Sequence, residues 1–376
     1  MTFPLPPNSV IGLVGGGQLG RMSALAAARL GYRCHILTRE ADSPAAQVAH
    51  GVTISDYADP ASLRAFAEQV DVISFEFENV SAEGLDLLAS IKPVRPSPGV
   101  LRISQDRVVE KQFLNDAGVP TTAWAIVSTL EELADAAQRI GLPAVLKTTR
   151  YGYDGKGQAR LLTPDDLAPA FARLSPKPLI LEGFVDFAAE ISVIVARGSD
   201  GAFVAFDTVE NRHRDHVLDL TFAPARVSDD VVGQSQAIAH RIATALDVVG
   251  LLAVEMFVDA HGRVLANEIA PRPHNSGHWS IEACPASQFE MHIRAIAGLP
   301  LPAATRHADA VMRNLVGPED MALWPEILAT PGLIPHLYGK AEARPRRKMG
   351  HVTRLFPKGA LPGEHGIAAV LGRLAR

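Results

Sequence analysis

"LLAVEMFVDAHGRVLANEIAPRPHNSGHW", residues 251–279, decides how this chain is read. Two apolar runs flank a polar centre that contains Gly262, so residues 250–270 read as one long antiparallel hairpin. A two-residue loop at His261-Gly262 puts Glu255 directly opposite Glu268. Like charges so placed repel. A hard divalent cation with oxygen ligands offsets that repulsion, and magnesium on one or two carboxylates also takes substrate phosphates. The plainer alternative is two solvated glutamates on an exposed strand face. The next stretch, "PRPHNSGH" (271–278), crowds Arg272, His274 and Asn275 among prolines and a glycine. Loops at strand ends carry chemistry more often than solvent-facing strands do. A guanidinium and an imidazole beside a metal suit an anionic intermediate. His274 and His278 stand four apart, but nothing here reads as helix, so a zinc pair is a poor reading.

The chain has 376 residues, 47% of them hydrophobic, which suits two or three domains at ~150 residues each. A net charge of −5 argues against nucleic-acid and membrane-surface partners. Cys34 and Cys284 form no C-x-x-C, which fits a reducing compartment, and Cys284 reads as core. "MTFPLPPNSV" has no basic leader, and no apolar run reaches the ~18 residues of a membrane span. The expectation is a soluble, cytoplasmic protein.

Upstream, "IGLVGGGQLG" (11–20) places Gly15, Gly17 and Gly20 in a G-x-G-x-x-G turn, with Glu40 twenty residues beyond Gly20. Alone, that suggests a dinucleotide-dependent oxidoreductase. The second strand ends at Thr38, however, where such a sheet more often places its acid, and Glu40 comes two residues late. Strands at 9–15, 33–38 and 71–77 alternate with helices at 18–31 and 60–70, the order of a parallel sheet. "IKPVRPSPG" (91–99) reads as a linker. A helix at 106–119 follows, then strands at 143–149, 178–185, 190–198 and 201–209, and a helix at 229–247. After "GLPLPAATRH" (298–307), proline and glycine recur and strands look short, which suggests a small third domain.

Two basic stretches remain. "KTTRYGYDGKGQ" (147–158) sets Gly152, Gly155 and Gly157 beside Lys156, with Lys147 at the strand end. Such a loop wraps phosphates with N–H groups and an ammonium, or is simply a hairpin tip; it lacks the P-loop spacing. "ARPRRKMGH" (343–351) carries Arg344, Arg346, Arg347 and Lys348, a solvated charge run or a seat for one phosphate monoester.

Taken together, "GGGQLGRM", "GYDGKGQ", "NEIAPRPHNSGHW" and "RRKMGH" resemble the ATP-grasp superfamily, and within it the 5-(carboxyamino)imidazole ribonucleotide synthase family of purine biosynthesis. The resemblance runs in order along almost the whole chain. It implies an α/β fold of ATP-grasp architecture. A Rossmann-like pre-ATP-grasp domain would span 1–103, a two-lobed ATP-grasp domain 104–300 with its lid at about 121–186, and a small C-terminal domain 301–376. It implies ATP- and bicarbonate-dependent carboxylation of 5-aminoimidazole ribonucleotide through carboxyphosphate, with ATP and magnesium as cofactors and a homodimer as the assembly.

Residue by residue, the resemblance implies ATP contacts from Arg107 and Lys147, and a mobile lid formed by Gly152, Tyr153, Asp154, Gly155, Lys156, Gly157 and Gln158. Glu182, Gly183, Phe184 and Val185 would meet adenine, and Glu190 the ribose. His213, Asn267 and Glu268 would also lie at the nucleotide. Glu255 and Glu268 would bind magnesium. Arg272, His274 and Asn275 would stand where bicarbonate is phosphorylated, with His274 in a proton-transfer role. The glycine turn would then hold no dinucleotide. Gly17, Gln18 and Leu19 with Glu76 would face the ribonucleotide, reached by Tyr153, Asp154 and Lys156 from the lid and by Arg272. Arg347 and Lys348 would grip its 5′-phosphate. Tyr151 departs from the glycine of many relatives. Ala270 stands where other ATP-grasp enzymes place an asparagine ligand, which this branch often lacks. The rivals are another ATP-grasp ligase, such as a formate-dependent glycinamide ribonucleotide transformylase, the oxidoreductase, and a nucleotide sensor without turnover.

Overall fold

The computed structural model describes residues 3–150, 152, 157–174 and 178–374. The N-terminal sheet contains β1 (Val10–Val14), β2 (Arg33–Thr38), β3 (Gly51–Ile54) and β4 (Val72–Phe75), all parallel in the order β3-β2-β1-β4. The expected third strand is therefore the fourth. β3 escapes a periodicity reading because it is a four-residue edge strand without an apolar run. Asp59 caps the helix Pro60–Glu68 by accepting from Ser62 N at 2.9 Å. The segment 91–99 is not a free linker. Val94 is buried against β4 through its bridge to Ile73, and Pro98 opens a helix that runs to Gln105.

A second, antiparallel sheet holds β5 (Trp124–Val127), β6 (Ala144–Thr148), β7 (Gln158–Leu161) and β8 (Leu179–Gly183) in the order β5-β8-β6-β7. The third sheet is the largest: β9 (Phe187–Arg197), β10 (Phe203–Ala205), β11 (Val209–Arg214), β12 (Val217–Ala223), β13 (Gly250–Asp259), β14 (Val264–Ala270), β15 (Ala308–Val316), β16 (Leu333–Leu337) and β17 (Lys348–Pro357). Its order is β14-β13-β9-β11-β12-β15-β17-β16, with β10 beside β9. The stretch 201–209, expected as one strand, breaks into β10 and the start of β11. Of the C-terminal strands, β15 and β17 are long and only β16 is short, and β15 pairs with β12, so the large sheet continues into them. The helix Asp229–Ala245 packs Ile238 and Ile242 on one face of β9 and β13, and Trp279 with the helix Gln288–Ala297 covers the other. Burial on both faces explains the unbroken apolar run of β9.

The hairpin pairs Glu255 with Glu268, but not through a two-residue loop. Asp259 accepts backbone N–H groups from His261 and Arg263, which opens the turn to residues 260–263 and slips the register by one. A bulge at Asn267 slips it back, so that Met256 faces Ala266 while Glu255 faces Glu268.

Both cysteines are buried, with Cys284 Sγ directed at Ala304 O. Among the described residues, no helix is long and apolar enough to cross a membrane. Beneath the hairpin end runs a buried polar chain. Thr221 Oγ1 donates to Asn211 Oδ1 (3.0 Å), Asn211 Nδ2 to Ser192 Oγ (2.9 Å), and Ser192 Oγ to Ser276 Oγ (2.7 Å). Asn211→Ala leaves the buried Thr221 hydroxyl without its acceptor and Ser192 without one of its two partners, and is expected to cost about 2 kcal/mol in urea unfolding. An unchanged urea midpoint would show that the chain contributes no stability.

Candidate active site

The three sheets enclose one cleft of about 1150 Å³. Its walls carry Gly17, Gln18, Leu19 and Glu76 from the first sheet, and Lys147, Gln158 and the segment 182–185 from the second. The third contributes Glu190, His213, Glu255, Asn267, Glu268 and Lys348, the helix Arg107–Asp116 contributes Arg107, and the flanking loops contribute Gly152, Arg272, His274 and Asn275. Tyr153, Asp154, Gly155 and Lys156, and the departure at Tyr151, lie outside the described residues. Gly157 and Arg347 do not line the cleft. Gly157 closes the base of its loop by accepting from Thr148 N, and the Arg347 guanidinium donates to Glu342 O.

The glycine turn holds a carboxylate of the protein itself. Glu76 accepts from Gly17 N at 2.5 Å and Gly20 N at 3.0 Å, at the start of the helix Gln18–Arg29. A Cβ on Gly17 would stand 2.5 Å from Glu76 Oε1, so the turn needs glycine to admit this side chain. A helix N-terminus attracts an anion, and here Glu76 already occupies that position, the place a pyrophosphate takes in a dinucleotide fold. Burial raises the Glu76 pKa, with the two N–H groups and the charges of Arg272 and Lys340 opposing. Arg272 Nη2 pairs with Glu78 Oε1 at 2.6 Å. Glu78 lies outside the expected site, although "FEFEN" (75–79) spaces it two residues from Glu76.

One helix braces the carboxylate pair. Asp106 caps Arg107–Asp116 by accepting from Val108 N. Three side chains of that helix reach the hairpin. Arg107 Nη1 meets Glu268 Oε2 at 3.1 Å, Lys111 Nζ donates to the bulged Asn267 O at 2.8 Å, and Glu110 accepts from Ile269 N at 2.8 Å. Burial, with Glu268 nearby, pushes the Glu110 carboxyl up to about 8. On the opposite strand, Glu255 Oε1 lies 3.0 Å from His274 Nε2. Burial works against the Glu255 charge, but the His274 hydrogen bond and the charges of His274, His213 and Lys348 outweigh it and hold its pKa low. His274 Nδ1 faces Ser276 Oγ (2.8 Å) and Ser276 N (3.4 Å). A backbone N–H only donates, so Nδ1 accepts and Nε2–H points at Glu255. The paired carboxylates supply hard oxygen donors that suit magnesium.

On the second sheet, Lys147 Nζ contacts Glu182 Oε2 at 2.8 Å, with Lys111 Nζ at 3.9 Å. Gly183 is bonded within the sheet through Ala123 O and Thr122 Oγ1. His213 Nδ1 meets Glu190 Oε2 at 2.8 Å. Burial opposes protonation of His213, and Glu190 with Glu255 behind it outweighs burial and raises its pKa. A further cation escaped the sequence reading. Lys340 donates to Lys348 O at 2.7 Å, and burial beside Arg347 and Lys348 lowers its pKa to about 8. No short motif marks it. The tertiary fold alone brings it near Glu76. Arg272 Nε and both amide atoms of Asn275 are buried without a hydrogen-bond partner among the described residues. Buried polar atoms at a cleft wall without a protein partner point to a ligand.

Burial would raise the Glu182 pKa, but Lys147, Lys111 and Arg107 hold it at about 2. That depression contributes stability above the ordinary carboxyl value of 4.5, which is lost as the pH falls through about 2. Glu182→Gln leaves the Lys111 ammonium buried without its counter-charge and is expected to cost about 3 kcal/mol at pH 7. The gap in urea midpoint between wild type and variant narrows from pH 4.5 to pH 2. Equal midpoints at pH 7 would remove this role.

The chain matches known proteins along most of its length. A ribonucleotide synthetase preATP-grasp domain model matches residues 9–105, an ATP-grasp domain model residues 112–289, and a phosphoribosylaminoimidazole carboxylase C-terminal domain model residues 310–360. The N5-carboxyaminoimidazole ribonucleotide synthase of Brucella melitensis biotype 1 is 49% identical, over 94% of this chain and 98% of that protein. A crystal structure of an N5-carboxyaminoimidazole ribonucleotide synthetase with ADP superposes with a TM-score of 0.92 at 40% identity, covering 95% of this chain and 94% of the other. The Aspergillus clavatus synthase, solved with ADP and 5-aminoimidazole ribonucleotide, gives 0.90 at 32% identity over 98% and 97%. This chain belongs to the N5-carboxyaminoimidazole ribonucleotide synthase family of ATP-grasp enzymes.

Proposed function

We propose that this enzyme uses ATP and bicarbonate to carboxylate the exocyclic amine of 5-aminoimidazole ribonucleotide. The observation that carries this reading is the opposed pair Glu255 and Glu268, flanked by Arg272, His274 and Asn275, between a nucleotide wall and a ribonucleotide wall. A bicarbonate oxygen attacks the γ-phosphorus of ATP, the bond to ADP breaks, and carboxyphosphate forms. The amine nitrogen then attacks the carboxyl carbon, either of carboxyphosphate itself or of the CO2 it releases, the C–O bond to phosphate breaks, and the amine proton passes to the phosphate released.

Magnesium, when bound, neutralises phosphate charge, and Glu255 and Glu268 are the residues that would hold it. Arg107 and Lys147 bind the ATP phosphates. The segment 182–185, Glu190, His213 and Asn267 form the seat of the nucleoside, with Gly152 and Gln158 at its edge. Arg272 steadies the carboxyphosphate anion, and Asn275 supplies the unpartnered amide beside it. His274 enters as an Nε2–H donor, which narrows the expected proton-transfer role to holding Glu255 and stabilising developing negative charge. Gly17, Gln18, Leu19 and Glu76 orient the ribonucleotide, and Lys348 with the adjacent Lys340 grips its phosphate, a grip that Arg347 joins once its guanidinium leaves Glu342 O. In this reading residues 1–103, 104–300 and 301–376 act as three units, and the working form is a cytoplasmic homodimer, by analogy with relatives. The formate-dependent alternative is not favoured, because the matched relatives are carboxylating enzymes by name.

Two experiments test this. ADP release with ATP, magnesium and bicarbonate is strongly stimulated by 5-aminoimidazole ribonucleotide and not by formate with glycinamide ribonucleotide. Glu268→Gln lowers it at least ~100-fold, the scale of losing one group that stabilises transition-state charge. Wild-type turnover in that variant would sink the metal assignment. Lys340 is an ammonium below about pH 8 and neutral above it. The kcat/KM for the ribonucleotide therefore falls above about pH 8, and Lys340→Arg flattens that limb. A limb that persists in Lys340→Arg belongs to another group.

A further inference from the structure

The strand pair that carries Lys348 and leads into Lys340 presents a cluster of histidines that the reaction above does not use. His336 on β16 is the register partner of His351 on β17, and their rings stack at 4.6 Å within 11° of parallel. Tyr338 Oη lies 2.9 Å from His351 Nδ1, and Tyr338 N donates to Met349 O at 3.0 Å. Two residues beyond Tyr338, Lys340 stands with its ammonium 5.7 Å from the Tyr338 ring centre and donates to Lys348 O.

The other side of the cluster leads to the reaction loop. The His278 ring lies 4.8 Å from that of His351. Gln288 Nε2 donates to His278 Nδ1 at 3.0 Å and to His274 O at 2.7 Å, and Gln288 Oε1 accepts from His274 N at 2.8 Å. Glu282, just past His278, pairs with His336 Nε2 at 2.6 Å. His278, Gln288, Tyr338 and His351 are each at most 1% exposed.

Apolar side chains would join these two segments at lower desolvation cost; here the His336–Glu282 hydrogen bond crosses between them and the His278 ring packs on that of His351, which holds a single arrangement. A metal does not explain the cluster. Donor atoms of Glu282, His336 and His351 lie within 4.8 Å of one another, but an ion must lie close to the plane of each imidazole, and two nearly parallel stacked rings do not converge on one ion.

We propose that His351 is a positioning residue. Through Tyr338 on one side and His278 with Gln288 on the other, it fixes the phosphate-gripping Lys340 and Lys348 relative to the His274 loop. It thereby sets where the amine of the ribonucleotide stands when carboxyphosphate forms. This inference rests on the proposed role of Lys340 and Lys348 in holding the substrate phosphate.

The test is steady-state kinetics with ATP and 5-aminoimidazole ribonucleotide varied separately, on Tyr338→Phe, His351→Ala, His351→Asn and Lys340→Ala, alongside urea midpoints. Tyr338→Phe and His351→Ala are expected to raise the ribonucleotide KM about tenfold, the scale of one buried hydrogen bond to a positioned group. The KM for ATP and the basal ADP release without ribonucleotide stay unchanged. His351→Asn, which keeps a polar atom where Nδ1 stands, recovers most of the loss. If Lys340→Ala raises the ribonucleotide KM while Tyr338→Phe leaves it unchanged, the positioning role is overturned. If the KM values for ATP and ribonucleotide rise together in Tyr338→Phe, the cluster is merely structural, and the proposal also falls. If Lys340→Ala itself changes nothing, the phosphate grip is wrong, and this inference fails with it.

Discussion

Two carboxylates of one hairpin, Glu255 and Glu268, face each other across adjacent strands, and much of the site is arranged to make that tolerable. The repulsion is offset from two directions. Arg107 approaches Glu268 from the helix Arg107–Asp116, and His274 approaches Glu255 from the loop after the hairpin. The Asn267 bulge that restores the pairing leaves an extra carbonyl, which Lys111 satisfies from the same helix. One capped helix thus holds the bulge, the strand beside it and one of the two carboxylates, and a displacement of that helix would move all three.

The rest of the cleft follows a similar logic, in which a charge on one segment is held by a partner from a distant one. Glu182 bridges to Lys147 and Lys111, Arg272 to Glu78, and Glu76 to the amides of the glycine turn. Such pairs are costly to bury and costly to break, so they tie the three sheets into one geometry. The glycine turn shows the consequence for function. Its amides are the anion site of a dinucleotide fold, yet a carboxylate of the chain fills them, and the turn becomes a rigid support for the side of the cleft assigned to the ribonucleotide.

The hairpin was legible because strand alternation and turn chemistry are local, and both operate within twenty residues. The opposition of Glu255 and Glu268 was reached with the wrong turn, and it survived because the longer turn at Asp259 and the bulge at Asn267 cancel. Neither device has a marker in a one-letter string: a bulge is decided by whether a backbone carbonyl finds a partner elsewhere, here Lys111. The edge strand β3 and the short strands β10 and β11 were lost or blurred for a related reason, since three to six residues with partial exposure are too few to show a period.

The alternation of strands and helices at the start of the chain, the carboxylate hairpin, the loop with Arg272, His274 and Asn275, and the two basic stretches are properties of the sequence alone, because each rests on residues that are neighbours along the chain. Glu78 against Arg272, Lys111 against the bulge, Lys340 near Glu76, and the stacked His336 and His351 were decided only by the tertiary structure. Except for the two histidines, which adjacent strands bring together, these groups meet across long separations in the chain. Nothing local requires them to meet: close packing of the sheets and helices sets the distance, and at that distance charge and hydrogen bonding decide what each side chain does.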